Sequence, residues 1–406
     1  MAEGVFASHA VTTKRSHSDR GCSLTDFVSV SLSDSSAQTT PESLEKLKNL
    51  LERAKKALKN LVKARNLGPS ELRRNQKYEA RILDPLVPMC KAQGATGLYI
   101  QPRTQETTTI SSQTSFSELV YQLAKHGCKD VTNKLNLQEC GQYPIAGGGS
   151  GDIYRGTLMC GTLVAIKCPR IYLGHEEQAG DHFKDIAQEM YTWSKLRHSN
   201  ILELIGFSVF RDKVSAVSPW MGNGTLPEYL FKSPETNKLN ICVQVSTGLA
   251  YLHDLHIVHG DVKGINVLVS TTGVPKWTDF GNSIMKKHTL QFTGTTCASK
   301  ISVRWTAPEI LYADSSYSIA GDIYALGMTL LEIISGKIPF FEKLEPAVIC
   351  AVITQQFPGR PSELDRFDSA ISYTLWDLMM RCWSHEKKAR PDAHEVARTV
   401  SSFGDV

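Results

Sequence analysis

The first 140 residues contain one segment with a strong apolar period and long stretches without one. Residues 1–40 are rich in Ser, Thr and small residues, so we predict that they are disordered. In residues 41–66, leucine recurs at intervals close to 3.6, which predicts an amphipathic helical region within residues 41–82. Thr40 suits the N-cap of this predicted helix, and Pro41 suits its first turn. The apolar face could pack on another part of the chain, self-associate, or bind an upstream partner or a membrane surface.

The pattern becomes that of a packed domain at about residue 141. Over residues 83–140 we predict a linker that contains a short helix near residues 115–127. Short runs such as "TLVAIKC" and "KVSAVSPW" then predict strands, and longer helical patterns dominate after "NGTLPEYL". A strand-rich part followed by a helix-rich part predicts an α+β fold with two lobes and a cleft between them, over residues 141–404.

Composition excludes several classes of protein. The chain has 406 residues and a formal charge of +4, and its ten cysteines are scattered with no CxxC pair, which indicates reduced thiols rather than disulfides or a zinc site. The N-terminus lacks the apolar run of a signal peptide, and no window approaches the roughly 20 apolar residues that a transmembrane segment needs. We therefore predict a soluble, cytoplasmic protein.

Positive charge is concentrated in residues 41–81, which contain twelve Lys and Arg against five Asp and Glu. Such an excess favours binding to an anionic surface, which nucleic acid or anionic lipid could provide. A solvated helix face explains the same excess more simply. We therefore expect no specific binding of nucleic acid.

The stretch "IAGGGSGDIYRG" places a glycine-rich turn between two predicted strands. Glycines let backbone amides approach phosphate oxygens, although such a hairpin is more often only a turn. The stretch matches the phosphate-loop pattern GxGxxGxV except at its first glycine and its valine. A methyl group at the first glycine narrows the allowed backbone but blocks no amide. The candidate phosphate-loop residues are Ala146, Gly148, Gly149, Ser150, Gly151 and Ile153.

The stretch "VAIK" places Lys167 in an apolar strand, two residues after Ala165. An ammonium group in apolar surroundings needs an anion, either a phosphate or a carboxylate. The best candidate carboxylate is Glu189, in the helical stretch "DHFKDIAQEMYTWSKLRHSNIL". An isolated glutamate is usually a surface residue, so this pairing depends on the neighbouring motifs.

The stretch "IVHGDVKGINVLV" carries Asp261 and Asn266 five residues apart across a turn, and "WTDFG" adds Asp279. The carboxylate of Asp261 can accept a hydroxyl proton or orient a nucleophile. The amide oxygen of Asn266 and the carboxylate of Asp279 can bind magnesium, because hard cations prefer oxygen ligands. Any one of these residues could be a cap or loop residue, but their order along the chain indicates phosphoryl transfer.

The motifs "VAIK", "HGDVKGIN", "DFG", "VRWTAPE", "GDIYALG" and "RCWSHEKKARP" resemble, in this order, those of the eukaryotic protein kinase superfamily, over about residues 143–402. The combination of Lys263 with "VRWTAPE" is typical of the tyrosine-kinase-like group. The wording of "VHGDVKGINVLV" and "SPWMGNGTL" is similar to the expanded kinases of mushroom-forming fungi. The resemblance implies a bilobal protein kinase fold with a β-rich N-lobe and a helical C-lobe. It also implies a signalling enzyme that uses ATP and Mg²⁺ to phosphorylate proteins on serine and threonine, with dual specificity left open.

The resemblance further implies a role for each matched residue. Lys167 would hold the α and β phosphates and pair with Glu189, while Asn266 and Asp279 would hold magnesium. Asp261 would be the catalytic base.

Lys263 would contact the transferring phosphate. The adenine site would be formed by Ile153, Ala165, the gatekeeper Ser218, the hinge residues Pro219 and Met221, and Leu268. Glu309 and Arg390 would form a buried pair in the C-lobe, and Asp322 would anchor the catalytic loop.

Two other classes of protein share parts of this pattern. Aminoglycoside and choline phosphotransferases also carry "HGD" with an asparagine five residues later, but they tend to place His-Pro after the aspartate and lack "APE". A non-catalytic scaffold with a kinase fold is disfavoured because the five residues whose loss usually marks such proteins are all present. Both alternatives stay open at this point.

Gly260 lies where many kinases carry an arginine that pairs with a phosphate on the activation segment. Glycine cannot do so, and Lys286 or Lys287 would be at best a partial substitute. We hypothesise that basal activity does not require phosphorylation of residues 282–304. Candidate acceptors there are Ser283, Thr289, Thr293, Thr295, Thr296, Ser299 and Ser302.

Overall fold

The computed structural model describes residues 108–111, 114–148, 151–170, 176–285, 290–292, 301–312 and 316–403. All of them belong to one contact unit, Leu50–Val406. The predicted disordered segment 1–40 and the predicted helical region 41–82 lie outside the described residues, so both remain predictions.

The N-lobe is built on a five-stranded antiparallel sheet of strand order β2-β3-β4-β6-β5. Its strands are β2 (Ala146–Gly148), β3 (Gly151–Thr157), β4 (Leu163–Cys168), β5 (Gly206–Phe210) and β6 (Lys213–Pro219). In β4, Val164 and Ile166 are fully buried in the N-lobe core. Because side chains alternate along a strand, Ala165 and Lys167 face the opposite side of the sheet.

Helix α2 (Glu176–Ser194) follows β4 and packs against the short helical turn Phe280–Asn282. The described side chains near its C-terminal end include Met190, Tyr191 and Trp193, which are buried in the main hydrophobic core. That core continues into the C-lobe. Helix α2 is therefore fixed through contacts that reach both lobes.

The described helices of the C-lobe are α3 (Leu226–Lys232), α4 (Lys238–Asp254), α5 (Pro308–Leu311), α6 (Ile319–Ser335), α7 (Glu345–Ile353), α8 (Ser369–Cys382) and α9 (Ala393–Ser401). Helix α6 is buried on all sides over residues 321–334, as expected of a helix that is apolar all round. Ser318 caps it by accepting a bond from the Gly321 amide at 3.1 Å. Two of its acids, Asp322 and Glu332, are therefore buried and must find donors.

Short strand pairs hold the loops between the helices. Strand β7 (Ile257–Val258) pairs with β10 (Ile284–Met285), and β8 (Val267–Val269) pairs with β9 (Pro275–Trp277), both antiparallel. These pairings place "HGDVKGIN" beside "DFG". A further pair is parallel and joins β1 (Thr108–Ile110) to β11 (Leu290–Phe292).

The residues that precede the N-lobe sheet are packed against it. Helix α1 (Phe116–Lys125) begins at Ser115, whose hydroxyl accepts from the Glu118 amide. After α1, the backbone pairs with β5: the Phe207 amide donates to the Lys129 carbonyl, and the Val131 amide donates to the Phe207 carbonyl, both at 2.8 Å. The sequence predicted a linker with a short helix over residues 83–140. This packing favours a start of the folded unit ahead of residue 141.

The sheet-based N-lobe and the helical C-lobe confirm the predicted α+β class and two-lobed architecture. Among the helices described above, none is both long and apolar enough to cross a membrane.

Candidate active site

The glycine-rich turn joins β2 to β3, where Ala146 lies opposite Ile153 and Gly148 opposite Gly151. Gly149 and Ser150 lie outside the described residues. Gly151 has a φ of +148°, and a Cβ there would lie 2.4 Å from the Cys168 carbonyl oxygen. Only glycine fits at this position, because the backbone of β3 passes too close to the end of β4.

Lys167 joins two carboxylates at the face of the sheet. Its Nζ lies 2.6 Å from Oε1 of Glu189 and 2.9 Å from Oδ1 of Asp279. Burial alone would lower the pKa of Lys167, but the charges of Glu189 and Asp279 reverse this and raise it above its ordinary value. Burial likewise raises the pKa of Glu189, an effect that the Lys167 ammonium opposes. The structure thus brings together three residues that are separated by up to 112 positions.

The predicted adenine residues lie on the sheet strands β3, β4 and β6, on the segment that follows β6, and on β8 of a separate strand pair. Ala165 pairs with Ser218 across β4 and β6, and Pro219 pairs with Val164. Ser218 and Met221 are buried, whereas Leu268 in β8 is half-buried beside Thr225. The small side chains of residues 165 and 218 leave this part of the sheet with little side-chain bulk.

The loop that follows β7 holds Asp261 in a network of hydrogen bonds. The amide of the Asn266 side chain donates to the Asp261 carbonyl at 2.8 Å and to its Oδ2 at 2.9 Å. The ammonium of Lys263 lies 2.7 Å from Oδ2 of Asp261. All three predicted residues are therefore in direct contact, and the carboxylate has a defined orientation.

Ser302 completes this network, although the sequence pointed to it only as a phosphate acceptor. Its hydroxyl donates to Oδ1 of Asp261 at 2.8 Å and accepts from Nζ of Lys263 at 2.8 Å. The only signal in the sequence was its place five residues before the Ala307 of "APE". Ser283, another candidate phosphate acceptor, is buried, and its hydroxyl donates to the His259 carbonyl at 3.2 Å.

Asp279 has a left-handed backbone, with a φ of +64°. Such a conformation is strained for a non-glycine residue and persists only where the surroundings enforce it. The adjacent Phe280 is fully buried, with its ring 5.9 Å from that of Trp193 and 5.5 Å from that of His259. The buried ring fixes the backbone that presents Asp279 to Lys167.

Asp322 of α6 anchors the catalytic loop through hydrogen bonds to its backbone, as the resemblance implied. Its carboxylate accepts from the His259 amide at 2.8 Å and from the Gly260 amide at 3.0 Å. Gly260 has a φ of +78°, and a Cβ there would lie 2.7 Å from the Asn282 carbonyl oxygen. The backbone conformation and the nearby Asn282 carbonyl therefore favour glycine at residue 260, independently of the absence of an arginine there.

The predicted pair of Glu309 and Arg390 is confirmed. The guanidinium donates to both carboxylate oxygens at 2.8 Å, and the Arg390 side chain is fully buried. Two further N–H groups of Arg390 donate to the Ala320 and Ser384 carbonyls, each at 2.8 Å. The pair ties the end of the segment that contains Ser302 to the C-lobe.

Glu332 is a second buried acid of α6, and the sequence did not single it out. Its Oε2 accepts from the Gly264 amide at 3.0 Å and from the Trp305 indole at 3.1 Å. Burial raises its pKa to about 7, although both hydrogen bonds and the charge of Lys263 act in the opposite direction. This carboxyl group links the catalytic loop to the segment ahead of "APE".

The residues fit a magnesium ion bound together with a phosphorylated ligand. The Asn266 side chain uses its NH₂ group to bind Asp261, so its amide oxygen is the end that suits a cation. The Thr278 amide donates to the Asn266 carbonyl at 2.9 Å, which keeps Asp279 next to Asn266. Within the described ranges, no three His, Cys, Asp or Glu side chains gather to hold a metal alone. Magnesium here would need phosphate oxygens as further ligands.

Comparison with known proteins supports the resemblance to protein kinases that the sequence motifs indicated. A family model described as protein tyrosine and serine/threonine kinase matches residues 142–400. The serine/threonine-protein kinase STY46 of Arabidopsis thaliana is 31% identical over 265 residues, which are 64% of this chain and 43% of that protein. The mitogen-activated protein kinase kinase kinase 1a of Physcomitrium patens is 31% identical over 251 residues, 61% of this chain and 31% of that protein.

A third relative is the ephrin type-A receptor 5 of Homo sapiens, which is 30% identical over 245 residues, 59% of this chain and 22% of that protein. The chain thus spans less than half the length of each of these three relatives.

Proposed function

Since the chain belongs to the protein tyrosine and serine/threonine kinase family, we propose that it transfers the γ-phosphoryl group of ATP to serine and threonine hydroxyls of proteins. The observation that carries the proposal is the contact of Lys167 with both Glu189 and Asp279. The Lys167 ammonium provides donors for phosphate oxygens, and the Asp279 carboxylate beside it can hold a cation bound to the same phosphates. The glycine-rich turn leads into β3, which pairs with the strand that carries Lys167. The Asp261 network lies on the loop after β7, which pairs with β10 shortly after Asp279.

The nucleotide site follows from these contacts. Lys167 binds the α and β phosphates, and Glu189 holds its ammonium in place while it does so. Asn266 and Asp279 would hold Mg²⁺, which would neutralise negative charge on the phosphates. The adenine ring lies between Ile153, Ala165 and Leu268, and the backbone of Pro219 and Met221 binds its edge.

The chemical step uses the network around Asp261. The acceptor hydroxyl attacks the γ-phosphorus, its proton passes to the Asp261 carboxylate, and the bond to the bridging oxygen of ADP breaks. The Ser302 hydroxyl and the Asn266 amide hold the carboxylate in one orientation. Lys263 stabilises the charge on the transferring group, because its ammonium lies beside the carboxylate that receives the proton of the acceptor hydroxyl.

Specificity for serine and threonine rests on Lys263 and Ser302. Both contact Asp261, and together they enclose the carboxylate to which the acceptor must come. Two relatives of Arabidopsis thaliana that are named serine/threonine-protein kinases support this assignment. Phosphoamino-acid analysis of the autophosphorylated protein tests the assignment: phosphotyrosine as the main product would contradict it.

The two alternatives make different predictions in one assay. We expect Mg²⁺-dependent transfer of ³²P from ATP to a protein such as casein, lost in an Asp279→Ala variant that binds no catalytic magnesium. A scaffold without activity would show equal background for both proteins. A small-molecule phosphotransferase would label an aminoglycoside or choline instead of casein.

Several narrower assignments accompany this proposal. The likeness to the expanded kinases of mushroom-forming fungi, the cytoplasmic location and the signalling role remain hypotheses from the sequence. So does a partner or a second copy bound through residues 41–66. Removing residues 1–82 and measuring the oligomeric state in solution tests that last assignment.

A further inference from the structure

Helix α1, ahead of the sheet of the N-lobe, packs directly on helix α2. Leu119 and Leu123 of α1 lie four residues apart on one helix face and are fully buried. Both belong to the same core cluster as Met190 and Tyr191, the two residues that follow Glu189. The two helices are in contact, and the apolar face of α1 lies in the same core as the residues of α2 that follow Glu189.

Polar contacts hold the C-terminal end of α1 to the same part of α2. The Cys128 thiol donates to the Met190 carbonyl at 3.7 Å. Lys195 donates to the His126 carbonyl at 2.6 Å, and its ammonium lies 4.8 Å from the centre of the Tyr191 ring. These contacts fix the position of α1 along α2 as well as its distance from it.

The same segment is also bound to the sheet that carries Lys167. Lys129 and Val131 exchange backbone hydrogen bonds with Phe207 of β5, both at 2.8 Å. Residues 114–131, which we call the positioning segment, therefore contact both α2 and the sheet. The distance between Glu189 and Lys167 depends on how these two elements are placed relative to each other.

The chain just before the positioning segment reaches the activation segment. Thr108 pairs with Leu290 and Ile110 with Phe292 in the parallel pair of β1 and β11. The Ile110 side chain is only 1% exposed. One continuous stretch of the chain thus contacts the activation segment and helix α2.

We propose that Leu119 and Leu123 are positioning residues for phosphoryl transfer, which act through helix α2 to keep Glu189 in contact with Lys167. The inference rests on the proposed kinase function. Without the buried face of α1, helix α2 moves away from the sheet and Lys167 loses the carboxylate that orients it toward the phosphates. The segment ahead of the kinase domain is then a requirement for activity and not a passive leader.

The test uses three variants of the full-length chain. Leu123→Ala removes buried contact, Leu123→Met keeps the volume, and Tyr121→Ala changes a residue of the same helix that is 59% exposed. We expect Leu123→Ala to raise the KM for ATP and lower kcat, with kcat/KM for casein reduced about tenfold or more. We expect Leu123→Met and Tyr121→Ala to stay within about twofold of the unsubstituted protein.

Hydrogen exchange separates positioning from general destabilisation. In Leu123→Ala, the amides of residues 186–194 should exchange about ten times faster, while those of α6 stay unchanged. Equal acceleration in α6, or a folded Leu123→Ala protein with kcat/KM within about twofold of the unsubstituted protein, would overturn the proposal.

Two further outcomes are decided by the same experiments. If Leu123→Ala does not fold, Lys195→Ala removes the exposed hydrogen bond to the His126 carbonyl together with the contact to the Tyr191 ring. It should still lower kcat/KM about twofold to fivefold, whereas an unchanged value overturns the proposal. If the unsubstituted protein transfers no phosphate, the proposed function fails. Exchange in residues 186–194 then still decides whether α1 positions α2: faster exchange supports it, and unchanged exchange overturns it.

Discussion

Glu332 is the buried carboxyl group that joins the catalytic loop to the segment ahead of "APE", and its substitution by glutamine tests that description. Its Oε2 accepts from the Gly264 amide and the Trp305 indole. A glutamine can accept both bonds through its amide oxygen, but it cannot ionise. The variant Glu332→Gln therefore changes the titration of this site and leaves most of its contacts in place.

The magnitude follows from the pKa of Glu332, which burial raises from 4.5 to about 7. A carboxyl group with a raised pKa stabilises the fold fully below pH 4.5, and this contribution is lost as the pH rises through 7. A shift of this size corresponds to about 3 kcal/mol, of which about 2.5 kcal/mol falls between pH 5 and pH 8. Glutamine contributes no such dependence. Relative to the unsubstituted protein, Glu332→Gln should therefore gain stability as the pH rises.

Thermal unfolding at several pH values measures this difference. For a domain of this size, about 2.5 kcal/mol corresponds to a change on the order of 5–10 °C in the Tm difference between the two proteins. The control is Glu342→Gln, because the Glu342 carboxylate is 46% exposed and its substitution should give a constant difference. A Tm difference for Glu332→Gln that stays constant from pH 5 to pH 8, or that changes in the opposite direction, would refute the reasoning.

Three other predictions concern the nucleotide site and the catalytic loop. Bulky pyrazolopyrimidine inhibitors should compete with ATP because Ser218 is small, and Ser218→Met should weaken them by roughly two orders of magnitude; equal inhibition of both forms would contradict the placement of Ser218. Gly260→Ala should lower the Tm more than Gly161→Ala does, because both glycines have positive φ but only the Cβ at residue 260 meets a neighbour, the Asn282 carbonyl. Phosphatase treatment should leave most of the activity in casein assays, and a loss of most of it would count against the hypothesis about Gly260.

The residues whose predicted contacts are present in the structure lie in short motifs. The order of "VAIK", "HGDVKGIN" and "DFG" carried the resemblance to protein kinases, and the resemblance implied that Lys167 pairs with Glu189, a contact that the structure contains. The pairing of Glu309 with Arg390 was predicted in the same way. Such motifs need no knowledge of how distant elements pack.

Ser302 and Glu332 could not be predicted in this way. Ser302 contacts Asp261 across 41 residues, and Glu332 contacts Gly264 across 68 residues. Neither residue lies at a position where a helical or strand period predicts a polar side chain. A single acid within the apolar run "YALGMTLLEII" was the one sign that Glu332 needs buried donors.

The packing of residues 114–140 was also beyond the sequence. A short helix was predicted near residues 115–127, but an apolar helix face does not say which surface will cover it. Residues 128–131 have no apolar period, so they suggested a linker. Their contribution is made by backbone hydrogen bonds to Phe207, which leave no trace in the pattern of side chains.

Gly260 connects these observations to the control of activity. An arginine at that position would make the catalytic loop depend on a phosphate in the activation segment. Here the Asp261 carboxylate is already oriented by Ser302, Lys263 and Asn266, which are neutral or cationic donors that need no phosphate. The activation segment is instead joined to the chain ahead of the kinase domain by the pair of β1 and β11. Under the proposed function, control of activity is therefore expected to act on the packing of that preceding chain against α2, where a partner or a modification could loosen it, more than on phosphate near the catalytic loop.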